Sequence, residues 1–136
     1  MSQISELVRL FYDELWNRKN LEISDQILHE QVNFRGSLGQ EMVGSAKVRD
    51  YVVSVTNSLA NYKCEIQELI AEKEKAAVKV LFSGIHVQHF LGYEPTGKLV
   101  QWQGATFMKC NSAVLTEIWV LGDLQGLIAN LEANKS

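Results

Sequence analysis

The sequence lacks the clustered positive charge that nucleic-acid binding requires. Its 136 residues include 13 Lys and Arg against 16 Asp and Glu, a net charge of −3, and no run of basic residues occurs. Binding to phosphate groups depends on a basic face or stripe. The charge pattern therefore argues against DNA or RNA as a partner.

Cysteine is also scarce, and the usual motifs of cofactor chemistry are missing. Cys64 and Cys110 are far apart, with no Cys or His nearby at the spacing of zinc ligands. No Gly-rich phosphate loop opens a helix, and there is no nucleophile elbow. The scarcity of cysteine predicts a reduced, cytoplasmic protein, and the missing motifs argue against hydride transfer, phosphoryl transfer and zinc hydrolysis.

Long apolar runs are absent as well. No window approaches the roughly 18 apolar residues of a membrane span. The first predicted helix carries Glu6, Arg9, Asp13 and Glu14, which is unlike a secretory signal. We therefore expect a soluble protein that does not associate with membranes.

The composition that is present is typical of one folded domain. Hydrophobic residues make up 46% and charged residues 21% of the chain, and the length matches a single domain spanning 1–136. No internal repeat, linker or low-complexity segment divides it.

Apolar residues at helical spacing predict three helices in the first 60 residues, over 2–18, 21–28 and 45–59. Ser2 and Ser45 are the predicted N-caps of the first and third. The stripe of the first helix consists of Ile4, Leu7, Val8, Phe11, Leu15 and Trp16.

Beyond residue 61 the pattern changes to alternation, which predicts strands over 62–71, 76–90, 98–109 and 114–121, followed by a short helix over 124–131. A further extended segment is predicted over 31–35. Short links favour antiparallel pairing. The order of elements predicts an α+β fold with helices on one face of a curved sheet. Because the 76–90 strand is apolar on both faces, we expect a homodimer or tetramer.

The stretch 84–98 resembles the motif G-T-H-x-G-x-F-x-G-x-x-P-T-G-K/R of the SnoaL-like polyketide cyclases, also called ester cyclases, with Ile85 and Gln88 as mismatches. The matching residues are Gly84, His86, Phe90, Gly92, Pro95, Thr96, Gly97 and Lys98. Similar features precede and follow it: the 8–16 helix, the Gly44-Ser45-x-x-x-Arg49 helix start, and the 115–119 segment with Asp123 and Leu127 beyond it.

This resemblance implies the cone-shaped fold shared by nuclear transport factor two and ketosteroid isomerase. It also implies cofactor-independent chemistry, an aldol-type cyclisation or isomerisation of a hydrophobic carbonyl compound, which needs an acid-base group in an apolar pocket. Asp123 matches the essential Asp of the family, and His86 matches its motif histidine. The resemblance therefore implies Asp123 and His86 as the candidate catalytic residues.

Each candidate has a structural alternative. Asp123 directly precedes a predicted helix, so it also fits an N-cap. A single histidine in a strand, such as His86, is often a satisfied core residue. A pocket lining is predicted from Trp119, Trp102, Phe107, Met108, Phe34 and Tyr51, with Glu117 as a second acid, although strand aromatics are also typical of a core.

One departure from the family affects the function. Characterised cyclases carry a further histidine on the strand before the last hairpin, and residues 104–108 contain none. The alternative hypothesis is therefore a non-catalytic module that binds a hydrophobic ligand or dimerises on the same fold.

Overall fold

The N-terminal part of the chain is helical, as the apolar spacing predicts. The computed structural model describes residues 2–135. In it, helix α1 (Gln3–Arg9) continues directly into a π-helical segment (Leu10–Asn17), and the whole predicted stripe is buried. Ser2 caps α1, because its Oγ accepts a hydrogen bond from the Ser5 N–H at 3.3 Å. This confirms the first predicted cap.

Two further helices follow. A 3₁₀ turn (Leu21–Ile23) leads into the short α2 (Ser24–Ile27), and α3 spans Ser45–Ser58. The N-cap of α3 is Gly44 rather than the predicted Ser45. Gly44 has φ = 106°, a conformation that a residue with a Cβ rarely adopts, so the glycine makes the turn into the helix.

Six strands form one sheet: β1 (Leu28–Arg35), β2 (Glu41–Val43), β3 (Leu59–Glu72), β4 (Lys75–His86), β5 (Leu99–Cys110) and β6 (Leu115–Gly122). Their order across the sheet is β2-β1-β6-β5-β4-β3. The strands β3 to β6 pair antiparallel, as predicted. The short β2 and the parallel pairing of β1 with β6 are not predicted from the sequence.

Strand β4 ends at His86, four residues earlier than the predicted Phe90. The next two backbone N–H groups, of Val87 and Gln88, both donate to the carbonyl oxygen of Ser58 at the end of α3, at 3.1 and 3.4 Å. The chain therefore stops pairing with β5 after His86 and enters the loop that connects β4 to β5.

The last helix, α4 (Leu124–Ala133), lies beside the part of β5 that β6 leaves unpaired. The Gln101 N–H donates to Asn130 Oδ1 at 2.8 Å, and Asn134 Nδ2 donates to the Leu99 carbonyl at 3.0 Å. These side-chain bonds take the place of a strand partner, so α4 covers the free edge of β5.

The core lies between the helices and the inner face of the sheet. Along β5, the even-numbered residues are buried and the odd-numbered ones are exposed, the alternation of a strand with one face in the core. The structure confirms the predicted α+β architecture. Among residues 2–135, no helix is long and apolar enough to cross a membrane.

Candidate active site

Aromatic side chains fill the inner side of the sheet towards the end where β4 finishes. We call them the aromatic cluster, and their neighbouring ring centroids lie 5.3–6.3 Å apart. Such spacing is typical of favourable ring packing. The members of the cluster are Trp16, Phe34, Tyr51, Tyr62, Phe82, Phe90 and Trp102.

The β1–β2 loop, residues 36–40, closes over this cluster. Trp102 donates its indole N–H to Ser37 Oγ at 3.3 Å. The Ser37 carbonyl lies against Gly122 so closely that a Cβ there would overlap its oxygen. Gly104, the cross-strand partner of Gly122, has the Phe82 ring at 2.6 Å from the position of a Cβ. Two facing glycines thus form a slot that receives the loop and a ring.

Tyr51 joins the loop to the cluster through its hydroxyl group. The hydroxyl lies against Gly36 of the loop, where an added Cβ would be 2.6 Å from its oxygen, and burial raises the pKa of Tyr51 to about 12. The phenol therefore stays protonated at neutral pH and can act as a hydrogen-bond donor. A second buried pair, Tyr12 and Thr106, meets oxygen to oxygen at 2.7 Å.

His86 is the one ionisable side chain of the described residues that is fully buried and has an unpartnered polar atom. It is 0% exposed, and its Nε2 has no hydrogen-bond partner within residues 2–135. Its Nδ1 lies 3.4 Å from Thr96 Oγ1, and its ring is 6.2 Å from that of Phe90. A buried unsatisfied polar atom costs about 1–3 kcal/mol and needs an explanation, such as a site for a ligand or water.

Asp123 is exposed and caps α4. Its Oδ1 accepts the Gly126 N–H at 2.9 Å, and its own backbone N–H donates to the Gln103 carbonyl at 2.8 Å. Within residues 2–135, Oδ2 accepts no hydrogen bond. The helix-cap alternative therefore describes its geometry, while one carboxylate oxygen remains available.

The two candidate catalytic residues do not lie together. The His86 N–H donates to the Lys98 carbonyl at 2.9 Å, whereas Asp123 is held level with Gln103. Positions 98 and 103 are five residues apart along the chain, or about 16 Å along an extended strand. His86 and Asp123 therefore cannot act as an acid-base pair on one atom.

The predicted pocket lining divides between the two faces of the sheet. Trp102, Met108, Phe34 and Tyr51 lie on the inner side, buried or half-buried. Phe107 lies outside because it alternates with the buried positions of β5.

Trp119 lies on the outer face with Phe107, which corrects the expectation that they share a pocket with Trp102. Trp119 is 38% exposed and Phe107 is 53% exposed, and their ring centroids lie 5.9 Å apart. The Arg35 guanidinium lies 5.5 Å from the Trp119 ring centroid, within reach of a cation–π contact. Glu117, also predicted to line the pocket, forms an ion pair with Lys109 at 3.6 Å.

Surface clefts occur at two places that concern the candidate residues. A cleft of about 430 Å³ is lined by Arg35, Trp119 and Glu117, and another of about 710 Å³ by Tyr93, Thr96 and residues at the end of α4. Over the described range 2–135, no group of three or more His, Cys, Asp or Glu side chains is placed to hold a metal ion.

Two residues at the site, Ser37 and Thr96, have no role there that the sequence predicts. Gly36 and Gly39 are typical of a loop, but they do not indicate that the loop folds over the core. Pro95 and Gly97 are typical of a turn, and Gly97 adopts φ = 72°. The contact between Thr96 and His86 depends on where that turn returns to β4, which no local signal shows.

Comparison with known proteins connects this geometry to a family. The sequence profile of the SnoaL-like polyketide cyclases matches residues 6–131. The chain belongs to the SnoaL-like polyketide cyclase family. The resemblance carried by the 84–98 motif is thereby confirmed. A comparison with curated proteins found no match.

Solved structures show the same fold. A candidate polyketide cyclase from Acidithiobacillus ferrooxidans is 24% identical with a TM-score of 0.84, covering 98% of this chain and 96% of its own. TsrD from Streptomyces laurentii is 19% identical with a TM-score of 0.84 and 98% coverage of both chains. A Catenulispora acidiphila protein with a ketosteroid isomerase-like fold is 13% identical with a TM-score of 0.76, covering 93% of this chain and 92% of its own. These similarities establish the cone-shaped fold for this SnoaL-like chain.

Proposed function

We propose that the protein is a cofactor-independent enzyme of the polyketide cyclase or ester cyclase type. It binds a hydrophobic carbonyl compound inside the cone and transfers protons in an aldol-type cyclisation or an isomerisation. The observation that carries this proposal is His86 Nε2, a buried imidazole nitrogen without a partner near an aromatic cluster. Family membership supplies the reaction class.

The proposed reaction needs only proton movements. Nε2 of a neutral His86 removes a proton from the carbon next to a carbonyl group. The resulting enolate carbon forms a bond to a second carbonyl carbon, and the new alkoxide takes the proton back from the imidazolium. In an isomerisation, the proton returns to a different carbon of the same enolate. No electrons are lost or gained overall.

The aromatic cluster supports a flat, apolar substrate. Its rings supply apolar surface, and the Tyr51 and Ser37 hydroxyl groups supply polar contacts at the loop end. Such a combination of apolar lining with a few polar groups is typical of small-molecule sites. The Ser37 backbone rests against Gly122, so the proposed binding mode requires the 36–40 loop to lift from the sheet.

Asp123 is proposed as a second acid-base group at the rim of the site, acting at a different point of a long substrate. Asn is about as good an N-cap as Asp, whereas Ala loses about 0.5–2 kcal/mol. We expect Asp123→Asn to retain the unfolding free energy but lose about 10²-fold or more in turnover, as expected for one acid-base group. Asp123→Ala should lose both unfolding free energy and turnover. Urea unfolding and steady-state kinetics measure the two effects.

The Asp123→Asn result is decisive for the rim group. Full turnover in that variant, with normal stability, would reduce Asp123 to a helix cap and leave His86 as the proposed proton-transfer group.

A specific observation supports the alternative, a non-catalytic ligand-binding module. The family's additional histidine is absent, and Thr106 in that segment is hydrogen-bonded to Tyr12 in the core. Asp123 is also exposed and engaged as a cap. A protein that binds polycyclic diketones in the cone but never exchanges their α-protons with solvent would be this module.

The outer face supports the proposal of a homodimer. One row of cross-strand partners runs over the sheet through Ile70, Ala77, Phe107, Trp119 and Arg35. Its large apolar members are exposed. An exposed apolar surface of this kind often marks an interface, and a second copy can pair the same row by two-fold symmetry.

We expect Phe107→Gln to convert the dimer to a folded monomer, because it places an amide at the centre of the proposed interface. The matched control is Val53→Gln, an exposed apolar position on α3. Sedimentation equilibrium measures the mass, and circular dichroism checks the fold. A wild-type monomer, or an unchanged mass in Phe107→Gln, would contradict this interface. If the wild type is a tetramer and Phe107→Gln is a dimer, the outer face forms one of the two kinds of contact in the tetramer.

A further inference from the structure

We propose that Thr96 holds the proton of the neutral His86 ring on Nδ1, so that Nε2 faces the interior as a proton acceptor. Thr96 is then a positioning residue, which acts on the reaction through His86. The significance for catalysis rests on the proposed function, but the position of the proton does not.

Backbone hydrogen bonds bring Thr96 to the ring. The His86 N–H donates to the Lys98 carbonyl at 2.9 Å, and the Gly97 N–H donates to the His86 carbonyl at 2.8 Å. These two bonds close the loop that starts after β4 and hold Thr96 beside the histidine. Its Oγ1 lies 3.4 Å from Nδ1 and also accepts the Lys98 N–H at 3.3 Å.

The surroundings of the two ring nitrogens differ. A threonine hydroxyl has two lone pairs, so Oγ1 can accept from Lys98 and from Nδ1–H together. Thr96 is only half-buried and lines the 710 Å³ cleft, so its own proton can be donated to solvent. The two lone pairs and the proton of the Thr96 hydroxyl are then all used.

A proton on Nε2 would be less favourable. That atom is buried, and no acceptor reaches it within residues 2–135. Buried N–H groups without an acceptor are rarer in proteins than acceptors with an unused lone pair. The arrangement therefore favours the proton on Nδ1 and leaves the Nε2 lone pair directed inwards.

The same contact assists the reaction once it starts. When Nε2 takes a proton from the substrate carbon, the ring gains a positive charge, and the bond from Nδ1–H to Thr96 becomes a stronger, charge-assisted one. When the alkoxide removes that proton from Nε2, the ring returns to its first state. The proton on Nδ1 stays in place throughout.

The proton position can be measured without any ligand, by two-bond ¹H–¹⁵N correlation spectra of the imidazole at neutral pH. The His86 signals are identified by their absence in His86→Gln. We expect wild type and Thr96→Ser to show a protonated Nδ1 and an unprotonated Nε2. Thr96→Val, which keeps the shape but removes the acceptor, should shift the proton towards Nε2.

The shift of the proton towards Nε2 in Thr96→Val should also slow the reaction. Thr96→Val should lower kcat roughly 10-fold with KM nearly unchanged, comparable to the loss of an outer hydrogen-bond partner of a ligating histidine, and Thr96→Ser should restore it. A protonated Nε2 in wild type, protons on both nitrogens, or a Thr96→Val spectrum identical to wild type would overturn the proposal. Failure of the proposed enzyme function instead appears as the predicted spectra without turnover in any variant.

Discussion

The His86→Gln variant is expected to lose about 10²- to 10⁴-fold of the proton-transfer rate, the usual contribution of a positioned acid-base group. Glutamine has a similar length and can still contact Thr96, but its amide cannot take a proton near neutral pH. The measurement is the incorporation of deuterium from D₂O at the activated carbon of polycyclic β-diketones, followed by mass spectrometry. This assay tests the proton transfer even when the natural substrate is unknown.

His89→Gln is the matched control for this experiment. His89 lies three positions along the chain but is exposed, in the loop after β4. We expect it to exchange at the wild-type rate. Equal rates for His86→Gln and wild type would contradict the role of His86, and equal losses in both histidine variants would show that the exchange does not occur in the cone.

The second large effect is expected at Gly122, where the 36–40 loop meets the sheet. In Gly122→Ala, the new Cβ overlaps the Ser37 carbonyl oxygen, and backbone moves less easily than a side chain. We expect the loop to be displaced, with a loss of roughly 1–3 kcal/mol of unfolding free energy, as is typical of overpacking. Urea unfolding measures the loss.

Hydrogen exchange separates loop displacement from general destabilisation. The Gly36 and Gly39 N–H groups are bonded within the loop, at 2.9 and 3.0 Å, and should exchange faster in Gly122→Ala. Gly104→Ala meets the Phe82 ring instead, so it should lose stability without this local change. Normal protection of both loop amides in Gly122→Ala would contradict the closed position of the loop.

Much of the fold was predictable because the signals are local. The apolar stripe of the first helix and the alternation in β3 to β6 follow directly from the periods of helix and strand. The connections between these strands are short, which determined antiparallel pairing. The pairing of β1 with β6 was not predictable in this way, since it joins segments separated by α3 and four strands.

The direction of the strand side chains was harder to predict. Alternation places Phe107 and Met108 on opposite faces of β5 but does not say which face meets the helices. Both faces carry apolar residues because the outer one bears the row that we propose as an interface. Phe107 and Trp119 were therefore expected in the pocket, although the structure places them outside it.

The roles of the site residues are also only partly predictable from the sequence. The position of Asp123 before α4 predicted its role as a cap, and the structure confirms that contact. Ser37 has no local signal, since its role depends on a slot formed by two glycines on other strands. His86 was identified by its motif, but its unpartnered Nε2 became visible only with the complete packing around it.

The most direct measurement is a crystal structure of the protein with a polycyclic β-diketone that it binds in solution. We expect the ligand among Trp102, Tyr51 and the other rings, with its acidic carbon or a carbonyl oxygen beside His86 Nε2 and the 36–40 loop lifted from Gly122. A ligand found only in a surface cleft, above an unchanged aromatic cluster and a closed loop, would contradict the account.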